Sequence, residues 1–280
     1  DGVPRIERLM TDCLKAEPSL YAQRVARNWF VGLCARAMRP GCQLDSMMIL
    51  EGAQGIGKTS FLRILGGNWY DEITEDFGTK DFKQKLMGCW IAEIGELASL
   101  KKAERSNLKA TLTCKVDRFR PPYGRFIKDY PRTAVFVGTT NEEEYLTDPT
   151  GNRRFFPIKC GGKIELGWLE AHRDQLFAEA MAAFNAGETW HEMPSGVQEK
   201  ETSARQIEDP WAAPIIHWWH KQTKNGFPLP TVLESTFPDE YPIGKQTPRD
   251  IQRVSAILKG FGFEKSRPKA EEGEEGRSTK

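Results

Sequence analysis

The chain has 280 residues, 39% hydrophobic and 28% charged, a composition that can build a sizeable core and excludes a wholly disordered or collagen-like polymer. With 40 Lys and Arg against 39 Asp and Glu, the net charge is +1, so any surface for nucleic acid has to come from local clustering. Six cysteines without a C-x-x-C pair fit neither a zinc ribbon nor a small disulfide scaffold, and no apolar run is long enough to span a bilayer. Reduced thiols, a cytoplasmic location and no membrane partner are therefore expected. The chain starts at Asp1 and not at Met, so a missing upstream domain is also expected.

In chain order, residues 19–38 space Leu20, Val25, Trp29, Leu33 and Met38 as a helix does, until Pro40-Gly41 stops the pattern. Ser46 to Leu50 reads as a buried strand feeding a Gly-rich loop, and Ser60 to Leu65 as the helix after it. Residues 71–81 are acidic and turn-rich. Cys89 to Ile94 is a second apolar strand, residues 97–112 a helix, and Thr133 to Gly138 a third strand. Residues 153–158 could add a further strand, and residues 166–186 are an amphipathic helix stopped by Gly187. Strands alternating with helices predict an α/β fold with a parallel sheet.

Beyond residue 190, prolines punctuate short helical segments from Trp211 to Leu258, followed by Phe261-Gly262-Phe263 as a short apolar strand. That order suits a small winged-helix unit. The expected division is a helical lead-in over 1–44, a core over 45–190, a linker and small domain over 191–264, and a disordered tail over 265–280. His217 and His220, three apart, do not make a metal site without a third ligand, and the tryptophans between them, Trp218 and Trp219, read as core.

Gly52-Ala53-Gln54-Gly55-Ile56-Gly57-Lys58-Thr59 matches G-x-x-x-x-G-K-[ST] between a strand and a helix, with Ser60 following. Such a loop turns backbone N–H groups toward the β- and γ-phosphates of a nucleoside triphosphate, Lys58 adds a point charge there, and the Thr59 hydroxyl reaches Mg²⁺. ATP and Mg²⁺ are the expected ligands. A second strand then has to supply an acid for the metal and a carboxylate for the attacking water. Glu93 and Glu96 are the candidates, with a solvated strand-end acid as the alternative for Glu93 and a helix cap as the alternative for Glu96.

Asn141 ends the third strand, where it could bond the γ-phosphate or the water, or simply make an Asx turn. Arg153 and Arg154 could stabilise charge on the transferred phosphoryl group, in cis or from a neighbouring subunit, unless they form surface salt bridges. Residues 101–132 carry ten basic and three acidic side chains. Within them Arg118, Arg120, Tyr123, Arg125 and Lys128 surround a Pro-Pro-x-Gly turn, the make-up of a hairpin that tracks phosphates and stacks on bases. A solvated basic face is the alternative.

Taken together, SMMILEGAQGIGKTSFLRIL, WIAEIGEL, RFRPPYGR and VFVGTTNEEEYLTDPTGNRRFFPI resemble the virulence-associated protein E family of phages and mobile elements, related to the superfamily 3 helicases of the AAA+ class. The resemblance spans roughly residues 20–260. It implies a P-loop NTPase core and a homo-oligomeric, hexameric ring that binds single-stranded or forked DNA and uses ATP to separate strands in a bacterial host, often behind a primase-like domain. By resemblance Gly52 to Thr59 is Walker A, Glu93 holds the Walker B position, Asn141 is sensor 1 and Arg153 or Arg154 is an arginine finger. Residues 115–130 take the place of the pore hairpin. One departure stands out: Ile94, not an acid, follows Glu93. Rival readings are an ATP-gated DNA-loading module that separates no strands, and a P-loop kinase.

Overall fold

The computed structural model describes residues 1–143, 145–146, 152–193, 198, 201, 205, 209–223 and 226–264, apart from the side chains of Lys102 and Asn152. The predicted tail and Gly151 lie outside them. In chain order the first unit contains α1 (Ile6–Asp12), α2 (Leu20–Met38), β1 (Met47–Glu51), α3 (Lys58–Gly66), β2 (Tyr70–Glu72), α4 (Lys80–Lys85), β3 (Ile91–Ile94), α5 (Lys102–Thr113), β4 (Val116–Phe119), β5 (Lys128–Pro131), β6 (Val135–Thr140), β7 (Phe155–Lys159) and α6 (Leu166–Asn185).

Five strands form one sheet in the order β2-β3-β6-β1-β7, every neighbouring pair parallel. Because strand side chains alternate between faces, β1 sends Met48 and Leu50 into one apolar layer with α1, α2, α3 and α6. Met47 and Ile49 enter the opposite layer, with Phe82 of α4 and Leu108 and Leu112 of α5. Helices on both faces explain why β1 and β6 are buried at every position. Each fully buried Leu, Ile or Phe contributes about 1.5–3 kcal/mol to that sandwich. The α/β expectation with a parallel sheet therefore holds.

From β1 the chain crosses to the far edge at β2, returns through β3 and β6, and passes β1 to reach β7. Such a reversal opens a crevice beyond the carboxyl ends of the strands, beside β1. Strand β6, not β3, is the direct neighbour of β1 on that side.

The helix expected over 97–112 divides into a 3₁₀ turn, Leu97–Ser99, and α5, which starts at Lys102. The break follows Glu96, whose backbone sits in the left-handed region at φ 46°. Strands β4 and β5 form a separate antiparallel hairpin, with Val116 opposite Pro131 and Phe119 opposite Lys128. All six cysteines are free thiols; burial pushes Cys34 up to about 11 and Cys13, Cys89 and Cys160 up to about 12.

The two compact units divide between Ile207 and Glu208. Ahead of that division, Trp190 Nε1 donates to Gln43 O, Asn28 Nδ2 to Glu192 O, and Gln198 Nε2 to Arg153 O and Phe155 O. The second unit packs α7 (Ala212–His220), α8 (Leu229–Thr236) and α9 (Pro248–Gly260) around Ile215, Val232, Leu233 and Val254. Thr247 caps α9 through a reciprocal bond pair with Asp250. Phe261-Gly262 is a turn and not the expected strand, so among the described residues this unit is helical and shows no wing. Gly262 takes φ 85° there, which breaks an extended path.

Candidate functional site

The loop between β1 and α3 opens at Gly52, with φ 146°, and closes at Gly57, with φ 104°, backbone states that a side chain would strain. At Gly52 a Cβ would also stand 2.8 Å from Ile56 Cδ1. Gly57 places Lys58 and Thr59 on the first turn of α3, where free N–H groups and the helix dipole favour an anion. A cleft of about 340 Å³ lies in front of the loop, lined by Gln54, Gly55, Gly57 and Lys58 through Ser60, by Glu72, Glu93, Gly95 and Glu96, and by Thr139 through Asn141.

Lys58 is buried and its ammonium donates to Gly52 O, to Ala53 O at 2.9 Å and to Asn141 Oδ1 at 2.9 Å. Those bonds use all three donors. Burial holds the ammonium below its ordinary value, with Glu93 acting in the opposite direction. Asn141 therefore faces Lys58 across the cleft. The turn after β6 is instead secured by Thr140, whose Oγ1 accepts from Glu142 N at 3.1 Å, so the Asx-turn alternative for Asn141 is replaced.

Glu93 is only 1% exposed, which removes the solvated strand-end alternative. Its Oε1 accepts from Thr59 Oγ1 at 2.9 Å and Thr139 Oγ1 at 2.8 Å, and its Oε2 from Tyr70 OH at 2.5 Å. Burial, then the bond to Glu93, pushes the Tyr70 phenol above its ordinary value. Thr59 and Glu93 thus bring two hard oxygens together, a donor pair that would suit Mg²⁺, which takes oxygen ligands. Glu96 is exposed on the cleft rim and its side chain makes no capping bond, so the helix-cap alternative fails.

Arg153 and Arg154 lie on the 3₁₀ turn just before β7. Phe155, the first residue of β7, pairs with Met47, the first of β1, so both arginines join the sheet at its amino end. The glycine loop leaves the carboxyl end, about 16 Å of strand away. That placement removes the in-cis alternative. Arg153 is exposed, while Arg154 is half-buried with its Nε unpartnered among the described residues.

The basic hairpin also joins the sheet at its amino end, ahead of β6. Strand alternation turns Asp117 and Phe119 inward and Arg118 and Arg120 outward. Arg118, Arg120, Tyr123, Arg125 and Lys128 are all exposed, and Phe126 and Ile127 share the tip. Gly124 N donates to Pro121 O at 3.0 Å, closing the turn. Arg132 belongs to the base and not to the basic face. It is buried, donates to both Asp117 oxygens and Thr111 O, and lies over the Phe136 ring.

Three residues of the site escaped the sequence reading. Tyr70 and Glu72 lie on β2, and Glu51 ends β1 directly before the glycine loop. Glu51 is 3% exposed and accepts from Tyr145 OH at 2.7 Å and from Arg205 Nε, which ties the base of the loop to a later segment. No group of three or more His, Cys, Asp or Glu side chains able to hold a metal by itself occurs among the described residues, and no helix there is long and apolar enough to cross a membrane.

A search of curated proteins returns no match. Three solved structures similar to the chain are all apo forms of the NrS-1 C-terminal region. One is 16% identical with a TM-score of 0.49, covering 91% of this chain and 70% of that one. The others are 15% and 16% identical with TM-scores of 0.45 and 0.47, and the chain covers 64% and 63% of their lengths. The family model of the virulence-associated protein E-like domain matches residues 1–209, and the chain belongs to that family.

Proposed function

We propose that the chain is an ATP-driven DNA helicase subunit of a phage or other mobile element. The observation that carries the reading is the meeting of Thr59, Lys58, Asn141 and Glu93 around one cleft in front of the glycine loop. Residues Gly52 to Ser60 supply backbone N–H groups for the phosphates of ATP. Lys58 exchanges the carbonyls of Gly52 and Ala53 for phosphate oxygens, and Asn141, bonded to Lys58, responds to that exchange. Thr59 and Glu93 are the residues that would hold Mg²⁺, which neutralises phosphate charge when bound. Arg153 or Arg154 serves the cleft of a neighbouring subunit in a homo-oligomeric ring. The exposed hairpin binds single-stranded or forked DNA through phosphate contacts and stacking on Tyr123 and Phe126.

A steady-state ATPase assay with and without single-stranded DNA tests the reading, beside Lys58→Ala and the double variant Arg120→Ala/Arg125→Ala. Turnover absent in Lys58→Ala, and DNA stimulation absent in the double variant, are expected. Mixing Arg153→Ala or Arg154→Ala protein with Lys58→Ala protein should restore activity for one of the two arginines. DNA-indifferent turnover would refute the coupling, and ATP-dependent DNA binding without release of a strand from a forked duplex would favour the loading module.

A further inference from the structure

A P-loop hydrolase needs a side chain that positions the attacking water, and the acid that would follow Glu93 is replaced by Ile94. Register explains why an acid at 94 would not serve. Residues 91 and 93 share the face of β3 that looks toward the loop helix, whereas Ile94 is 2% exposed in the opposite apolar layer. Glu93 itself is buried against the Thr59, Thr139 and Tyr70 hydroxyls and is already assigned to Mg²⁺. The next residue on its face is Gly95, which has no side chain.

That space is filled from the neighbouring strand. Glu72 pairs in register with Glu93, and its Oε1 lies 3.1 Å from the point a Cβ on Gly95 would occupy. The carboxylate lines the cleft, is exposed, and takes no hydrogen bond or ion pair among the described residues. Asp71 beside it points the other way and is tied to Lys85 at 2.8 Å. Glu96 also lines the cleft, but from a left-handed loop residue past the end of β3, whereas Glu72 is held by the sheet.

We propose that Glu72 is the carboxylate that orients and deprotonates the attacking water, an assignment that rests on the ATP-hydrolysis reading. The water oxygen forms a bond to the γ-phosphorus and the bond from that phosphorus to the β,γ-bridging oxygen breaks. The bridging oxygen leaves with its electron pair on ADP. The water proton passes to Glu72 and on to solvent, leaving inorganic phosphate. The second acid of the site thus comes from across the sheet and not from further along β3.

The test compares kcat, KM for ATP and affinity for a fluorescent ATP analogue in the wild-type chain, Glu72→Gln, Glu96→Gln and Asp71→Asn. Loss of a positioned general base costs about 100-fold or more in rate. Glu72→Gln is expected to lose that much in kcat while KM and analogue affinity stay within about twofold, and Asp71→Asn to keep its kcat. The assignment is overturned if Glu72→Gln retains kcat, if its loss lies in KM or analogue affinity, or if Glu96→Gln loses more kcat. A wild-type chain no faster than Lys58→Ala would instead refute hydrolysis itself, and the assignment with it.

Discussion

The hairpin offers a prediction whose size follows from counting its exposed cations. Arg118 is engaged by Asp129 at 3.6 Å, which leaves Lys115, Arg120, Arg125 and Lys128 exposed without an ion-pair partner among the described residues. If each neutralises one phosphate of a single strand, log affinity falls against log salt with a slope of about −2.8 per subunit. Raising salt from about 50 to about 200 mM then weakens binding by about 50-fold. Arg120→Ala/Arg125→Ala removes two of the four contacts, halving the slope to about −1.4 and the loss to about sevenfold. Fluorescence anisotropy with a labelled oligonucleotide, without nucleotide, reads both slopes. Equal slopes in the two proteins would refute the reasoning, because the DNA would then lie elsewhere.

Two further outcomes concern the framework. Arg132→Met strands the buried Asp117 carboxylate and should cost about 3–5 kcal/mol, read by urea unfolding, with Arg132→Met/Asp117→Leu recovering most of it; a single-variant loss below about 1 kcal/mol would contradict the pairing. The bond from Arg27 holds the Glu188 carboxyl below its ordinary value, so its stabilisation is complete above the usual carboxylate range and lost as pH falls through that range and then through the lower folded value. Both side chains are part-exposed, so the contribution is at most about 1 kcal/mol. Unfolding midpoints measured down to about pH 3 should fall less steeply in Arg27→Met than in the wild-type chain, and parallel curves would exclude the pair as a source of acid sensitivity.

Elements with a strong periodic signal were legible in the chain itself. Helix α2 repeats apolar residues over 19 positions, and β1, β3 and β6 announce themselves as short apolar runs that have to be buried on both faces. Strand β2 carries no such signal: Tyr70-Asp71-Glu72 is short and polar, and its extended state depends on pairing with β3. Helix α1 spans seven residues, less than two turns of pattern. In the site, the glycine loop was legible because its chemistry is contiguous. The bond from Lys58 to Asn141 joins residues 83 positions apart, and Glu72 reaches the cleft by strand register, neither of which spacing can express. The missing acid after Glu93 was legible as a departure, while its physical reason, the face on which Ile94 lies, was not.

The arginines before β7 and the glycine loop after β1 stand at opposite ends of one parallel sheet. Side chains from one end can complete a cleft at the other end only by contact between unlike surfaces of two copies. In a two-fold dimer that contact would be made twice, with the two sheets antiparallel and each copy's arginines at the other's cleft, and the series would end there. Head-to-tail association repeats it with every added copy, and the rotation between neighbours alone decides whether the series closes or runs on as a filament. In the proposed head-to-tail ring, the direction of the strands would give the assembly a polarity before any DNA strand is bound.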